Sequence, residues 1–372
     1  MYRGARWILH RLYGAVLETA RRLVPRGSAR IGPPCGMYSE YELVLQGKRP
    51  GRVVYPGQES PPHSPQSLRE ICGFRQTSHQ PWPFFWTQNH NARLVGTSLA
   101  LLNDEKRLCE EAVFYQHCLP TEPSNRYLVL PPAVRLAGNW TSVISRWGYG
   151  FHHWWMDALP RLAVLNEFPP DTGILVLPEL DAYQVETLKL LGLEDRVRRT
   201  AERHLVVENY FFASPTAMTG CRNPYAAEWL RRRFLGCAER EWQTPRRFYI
   251  RRIGRHRGLG NEAEVIDFLG RRGWAIVNLE SMPVPRQIQL FANAELVCGL
   301  HGAAFTNLLW SSPGCRALEI CAANYLNGVY EGLAECLGIQ HRHILCAADG
   351  AFVAHVNMKD FKGLIEAMEA DL

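Results

Sequence analysis

The chain has no Cys-x-x-Cys pair, although it holds 11 cysteines. An odd number of scattered thiols is neither a zinc-ligand pattern nor a disulfide framework, and it fits a reducing compartment. No apolar run is long enough to span a bilayer, and arginines break up the first residues too often for a secretory signal. Gly-x-Gly-x-x-Gly, His-Glu-x-x-His and internal repeats are all missing. The usual dinucleotide fingerprint and the zinc-protease pattern are thereby excluded. Most of the chain also lacks net charge. Arg3, Arg6, Arg11, Arg21, Arg22, Arg26 and Arg30 against Glu18 account for the whole formal charge of +6. An electroneutral body argues against nucleic acid as a partner, because that partner selects a basic face on the folded domain.

What is present is ordinary for a soluble globular protein: 372 residues, 47% hydrophobic and 21% charged, a length that favours two domains. Residues 1–26 read as an amphipathic basic helix. It serves either as an anchor on an anionic membrane surface or as a helix docked on the protein's own core. Residues 27–125 are punctuated by prolines and read as an irregular, β-rich N-terminal part of an acceptor domain. Strand-like pieces fall at 41–45 and 52–55, and an aromatic loop at 81–86. From residue 126 a βα rhythm begins. Strands are expected at 127–130, 173–177 and 204–212, and helices at 151–167 and 182–191. Residues 126–220 thus form an N-terminal Rossmann-like acceptor domain, and 221–245 a linker helix. Residues 246–346 read as a second βα series, followed by a C-terminal helix within 347–372. Its strands fall at 248–251, 274–279, 295–298, 317–321 and 343–346. Alternating strands and helices predict an α/β protein with parallel sheets and helices on both faces.

Four constellations carry chemistry. Cys298-Gly299-Leu300-His301-Gly302-Ala303-Ala304-Phe305-Thr306-Asn307 reads as a strand end, a glycine turn and a helix start. Such a helix end offers unpaired N–H groups and a positive dipole end to an anion. On spacing alone, a βα turn with a packing histidine explains the stretch as well. Just upstream, Arg246, Arg247, Arg251, Arg252, Arg255 and Arg257 crowd one strand end and loop, ahead of Asn261-Glu262. Guanidinium groups suit phosphate oxygens. Glu319, inside the apolar run Ala317-Leu318-Glu319-Ile320, is placed to accept ribose hydroxyls. Elsewhere, His153 and Asp157 lie four apart on a predicted helix and share a face, with Arg161 a turn further on. A carboxylate beside an imidazole can take a proton from a hydroxyl.

The ordered series Phe248-Tyr249-Ile250-Arg251-Arg252, Asn261-Glu262, Gln287-Ile288, Gly299 to Asn307, Pro313-Gly314 and Leu318-Glu319-Ile320 resembles glycosyltransferase family 61, the capsular-polysaccharide type. His153-Trp154-Trp155-Met156-Asp157-Ala158-Leu159-Pro160-Arg161 is similar to the N-terminal motif of that family. The resemblance implies a GT-B fold, two Rossmann-like domains facing a cleft. It also implies inverting transfer of a hexosyl or pentosyl group from a nucleotide-sugar, usually a UDP-sugar, to a glycan or glycolipid hydroxyl. It implies no obligatory metal or other cofactor beyond the donor as co-substrate, and the lack of an Asp-x-Asp motif agrees. On this reading Asp157, with His153, is the base, and His152 and Glu262 are next in line. Donor contacts come from Arg251, Arg252, Arg257, Asn261, Glu262, His301, Gly302, Ala303, Asn307 and Glu319. The setting expected is cytoplasmic, peripheral on the inner face of the membrane, in bacterial surface polysaccharide synthesis. The rival readings are a non-catalytic membrane-associated assembly protein on the same fold, or another GT-B-like nucleotide-sugar enzyme such as an epimerase.

Overall fold

The computed structural model describes residues 36–57, 68, 83–113, 130–216, 224–253, 257–349 and 353–370. The helix expected at 1–26, and all of the strand expected at 127–130 except Leu130, lie outside the described residues. Two compact units emerge. One holds 36–56, 83–181 and 192–216, and the other holds 182–191 and 224–370.

The first unit is built on a mixed sheet. Its strands are β1 (Gly36–Tyr38), β2 (Gly51–Tyr55), β3 (Phe84–Val95), β4 (Ala100–Leu102), β5 (Arg107–Cys109), β6 (Val134–Ser142), β7 (Gly173–Val176), β8 (Val197–Arg199) and β9 (His204–Ala213). Their order is β1-β5-β4-β3-β9-β6-β7-β8, with β2 on β3. The segment β9-β6-β7-β8 is parallel, and β3 joins it antiparallel through β9. The β-rich N-terminal strands and the later βα strands therefore share one sheet.

Two expectations fail here for local reasons. Residues 40–45 are a helix, Glu40–Leu45, not a strand. The Ser39 hydroxyl accepts from the Glu42 N–H at 3.1 Å, and glutamates fill the first turn. Ser39 with Glu42 three residues on is a helix-start signature that overrides the short alternation. Phe84, Phe85 and Trp86 open the 12-residue strand β3 instead of a loop. Phe85 is fully buried with its ring 6.1 Å from that of Phe212, the cross-strand aromatic packing that favours extended backbone.

The second unit holds β10 (Arg247–Ile250), β11 (Gly258–Leu259), β12 (Ala275–Val277), β13 (Leu296–Leu300), β14 (Arg316–Ala322), β15 (Gln340–Ala348) and β16 (Val353–His355). The order is β11-β16-β15-β14-β13-β10-β12. All pairs are parallel except β15 with β16. β13 is buried throughout, as expected of a strand covered on both faces. On one face Leu318, Ile320, Cys298 and Ile344 pack with Val265 and Leu269 of helix Glu262–Arg271 and Phe361 of helix Met358–Ala370. The C-terminal helix is thus part of this core. Helices Val284–Ala292 and Val329–Leu337 both pack on the segment Ala303–Trp310. Helix Ala182–Leu190, expected in the N-terminal half, packs with this unit through helix Val284–Ala292. No helix among the described residues is long and apolar enough to cross a membrane.

Candidate active site

The five parallel strands β12-β10-β13-β14-β15 reverse direction of build between β10 and β13. In open α/β sheets ligands bind outside the carboxyl ends of the strands at such a reversal. The two strand ends here carry Arg251-Arg252 and His301-Gly302, two of the four constellations read from the sequence. The structure brings them into contact: Arg252 Nη1 donates to the His301 carbonyl at 3.3 Å.

Both glycines of the motif owe their identity to close approach. Gly299 is not in the turn. β13 continues to Leu300, and a Cβ at Gly299 would lie 3.2 Å from Ile250 on the neighbouring strand. The backbone of Gly302 is extended, with φ 174°, so torsion does not demand glycine. A Cβ there would stand 2.9 Å from Arg252 Nη1, so any side chain presses on the guanidinium. The following segment Ala303–Trp310 is a 3₁₀ helix, not the α-helix expected, with Phe305 N–H donating to the Gly302 carbonyl at 3.0 Å. Its first amides still lack an intrahelical acceptor.

Among the described residues, Arg252 and Arg257 form no ion pair. Burial and then the charge of Arg257 push the Arg252 guanidinium pKa down. Arg257 lies over the Tyr325 ring at 4.5 Å. Two neighbouring cations beside a strand end are a place for an anion. Arg251 takes another path: it pairs with Glu262 at 3.6 Å, and Glu262 also accepts from the Tyr249 hydroxyl at 3.1 Å.

Three residues expected to contact the donor have partners within the protein. The Asn261 side chain bridges the main chain of Val356 in both directions, at 2.9 and 3.1 Å. Asn307 is committed to Gln287 at 2.9 Å, to the Ala304 carbonyl and to Trp310 Nε1. Both amides are engaged by protein groups and brace the local backbone. Glu319, expected to hold a ribose, is fully buried in β14, with one oxygen on His301 Nδ1 and the other on His341 Nε2 at 2.9 Å. Burial raises its pKa, but the hydrogen bonds from the two imidazoles outweigh that and bring it to about 2. Each oxygen is thus engaged by an imidazole.

The sheet explains this cluster. Gly299 pairs with Glu319, which pairs with His343. Strand alternation then puts positions 301, 319, 341 and 343 on one face, opposite the core of Leu318 and Ile320. The His301 ring is packed against Tyr325 and Tyr330, at 5.6 and 5.3 Å between centroids. His341, Tyr325 and Tyr330 were missed from the sequence. The alternation His341-x-His343 in a strand after Glu319 was the available signal.

In the first unit the segment expected to be a helix at 151–167 is helical but irregular. Phe151–His153 is α, Trp154–Ala158 is a π turn and Leu159–Glu167 is 3₁₀, with Pro160 near the start of the last. Pro160 has no N–H to continue the α ladder, and π turns recur at functional sites. His153 Nδ1 and Asp157 Oδ2 are 2.5 Å apart, with His153 partly exposed. Asp157 is buried, and its Oδ1 has no hydrogen-bond partner among the described residues. Burial raises the Asp157 pKa, opposed by the bond from His153 and by its charge. An orphan carboxylate oxygen beside an exposed imidazole is the mark of a group waiting for a proton donor.

Arg161 does not join this pair. It is buried and donates to the carbonyls of Ala213 at 2.7 Å and Ile144 at 3.0 Å. It staples the helical segment to the sheet. Arg161→Met should cost about 2–4 kcal/mol by denaturant unfolding, because two buried carbonyls lose a charged donor.

A doubly wound α/β domain with a cationic switch point belongs to the mixed α/β class that includes glycosyltransferase folds. The segment 151–318 matches the sequence model of the family Glycosyltransferase 61. The match runs from the helical segment of His153 and Asp157 to the residue before Glu319. No curated protein matches the chain. That match supports a glycosyltransferase-type domain, which in general terms takes a sugar donor and an acceptor.

Proposed function

We propose that the chain is an inverting GT-B glycosyltransferase that moves a hexosyl or pentosyl group from a nucleotide-sugar, a UDP-sugar first among them, to a hydroxyl of a glycan or glycolipid. The setting we propose is bacterial surface polysaccharide synthesis, on the cytoplasmic face of the membrane. The C-terminal unit binds the donor and the N-terminal unit supplies the base.

The observation that carries this reading is the pair Arg252 and Arg257, without a carboxylate partner among the described residues, beside the Gly302 strand end at the switch point. The diphosphate is held by Arg252 and Arg257 and by the first amides at Gly302-Ala303. Charge developing on the leaving group is met by donors already in place. Asp157 accepts the acceptor's proton as its oxygen attacks the anomeric carbon, and His153 orients the carboxylate. Glu319 fixes the His301 ring beside the diphosphate. The bond formed is anomeric carbon to acceptor oxygen, the bond broken is anomeric carbon to diphosphate oxygen, and the proton ends on Asp157.

A thermal-shift series with nucleotide-sugars tests this. A UDP-sugar at 100 times its Kd should stabilise the protein by about 2.7 kcal/mol. Arg252→Ala should weaken that binding about 10–100-fold, the loss of a charged hydrogen bond. Absence of any nucleotide-sugar response would overturn the donor assignment, and an unchanged affinity in Arg252→Ala would move the diphosphate elsewhere.

A further inference from the structure

The face of the second unit that bears Glu319 continues past the donor constellation. His343 lies on β15 in register with Glu319, and His341 lies two residues before it on the same face. Glu331 sits in the first turn of helix Val329–Leu337, which links β14 to β15. One ligand atom each of Glu331, His341 and His343 lies within 4.8 Å of the other two. Modest side-chain rotation closes such a spacing onto an ion at about 2.0–2.2 Å.

His341 gives the second, independent observation. Its side chain is 3% exposed, and its Nε2 is 2.9 Å from Glu319 Oε2. An ionised carboxylate can only accept, so this bond fixes the ring proton on Nε2. Nδ1 is then a bare lone pair. It is buried and has no partner among the described residues. A histidine that gives one N–H to a carboxylate and leaves its other nitrogen open has the arrangement of a metal ligand with its outer support.

We propose that His341 Nδ1, His343 and Glu331 bind a divalent transition ion of the zinc class, with water completing the shell. Two imidazoles and one carboxylate are the nitrogen and oxygen donors that suit such an ion, and an open position remains for solvent. The ion lies outside the arginine-lined donor constellation and does not replace the arginines there. It is joined to that constellation through His341, Glu319 and His301, so filling it holds the His301 orientation.

The full chain, stripped with a chelator, should take up zinc in isothermal titration calorimetry. Cobalt(II) in place of zinc reports the donor atoms by its absorption. The nearby group His301, Glu319 and Cys321 is the competing arrangement, and it would add a thiolate. The expected result is one site lost or weakened at least about ten-fold in both His343→Ala and Glu331→Gln, with cobalt bands free of thiolate charge transfer. Glu331→Gln keeps shape, so its result stands if His343→Ala fails to fold. The proposal is overturned by no zinc uptake, by uptake unchanged in Glu331→Gln, or by a thiolate–cobalt band. Nucleotide-sugar binding is a separate measurement on the same samples, so failure of the metal site and failure of the donor site are read apart.

Discussion

Asp157→Asn should lower sugar transfer about 10²–10⁴-fold, the usual worth of a positioned base, and leave nucleotide affinity near its wild-type value. The two readouts separate because Asp157 belongs to the first unit, whereas the arginines and the Gly302 strand end belong to the second. The same substitution should not lower thermal stability. Burial raises the Asp157 pKa, so the folded state favours the protonated form. For an acid shifted upward, stability is full below the unfolded pKa and falls as pH rises toward the folded pKa. Asn removes that fall, so the variant should melt at the same or a higher temperature at neutral pH. The activity of the wild type should drop on the acid side at a pH above the ordinary aspartate value of about 3.9, because the base must be ionised. Rate profiles, calorimetric titration with UDP and thermal scans of both proteins measure all three. A fully active Asn variant would move the base to another residue, with His152 and Glu262 the next to test.

The second large effect concerns Glu319. Glu319→Ala should cost about 3–5 kcal/mol in denaturant unfolding, the usual result of removing one partner from a buried ionic cluster. Two imidazoles, His301 and His341, would then lose the carboxylate that accepts from them in a buried site. Glu319→Gln keeps the shape and should cost less, about 1–3 kcal/mol, because an amide can serve one ring but not both as a charge does. The sign of the pH effect is opposite to that of Asp157. The Glu319 pKa lies at about 2 against an ordinary 4.5, so its stabilisation is present above the ordinary value and is lost as pH falls from about 4 to about 2. Wild-type stability should fall through that window, and Glu319→Gln should fall less. A loss under about 1 kcal/mol in Glu319→Ala would show that the imidazoles find other partners.

Much of the second unit could be read from the sequence. The strand of Leu296–Leu300, the helix Glu262–Arg271 with glutamates in its first turn, and Gly273 after it with φ +79° fall where the pattern put them, to within a residue or two. Local rules govern these features: apolar runs for buried parallel strands, acidic first turns, and glycine where φ is positive. The first unit was less legible. Residues 40–45 alternate like a strand but are held as a helix by Ser39, and the aromatic run at Phe84 packs into the sheet. In each case one capping or cross-strand contact outweighed the short pattern.

By itself the sequence determined which chemistry the chain owns: the arginine cluster, the His153–Asp157 spacing, the glycine motif and the family series that residues 151–318 match. The tertiary structure decided who meets whom. Arg252, not Arg251, reaches the His301 carbonyl. Glu319 serves two histidines that stand 18 and 22 residues away. Neither is visible in one dimension, because both depend on strand order and register. Register sets which alternate residues of three neighbouring strands share a face, and the reversal of strand order between β10 and β13 sets which two strand ends stand side by side.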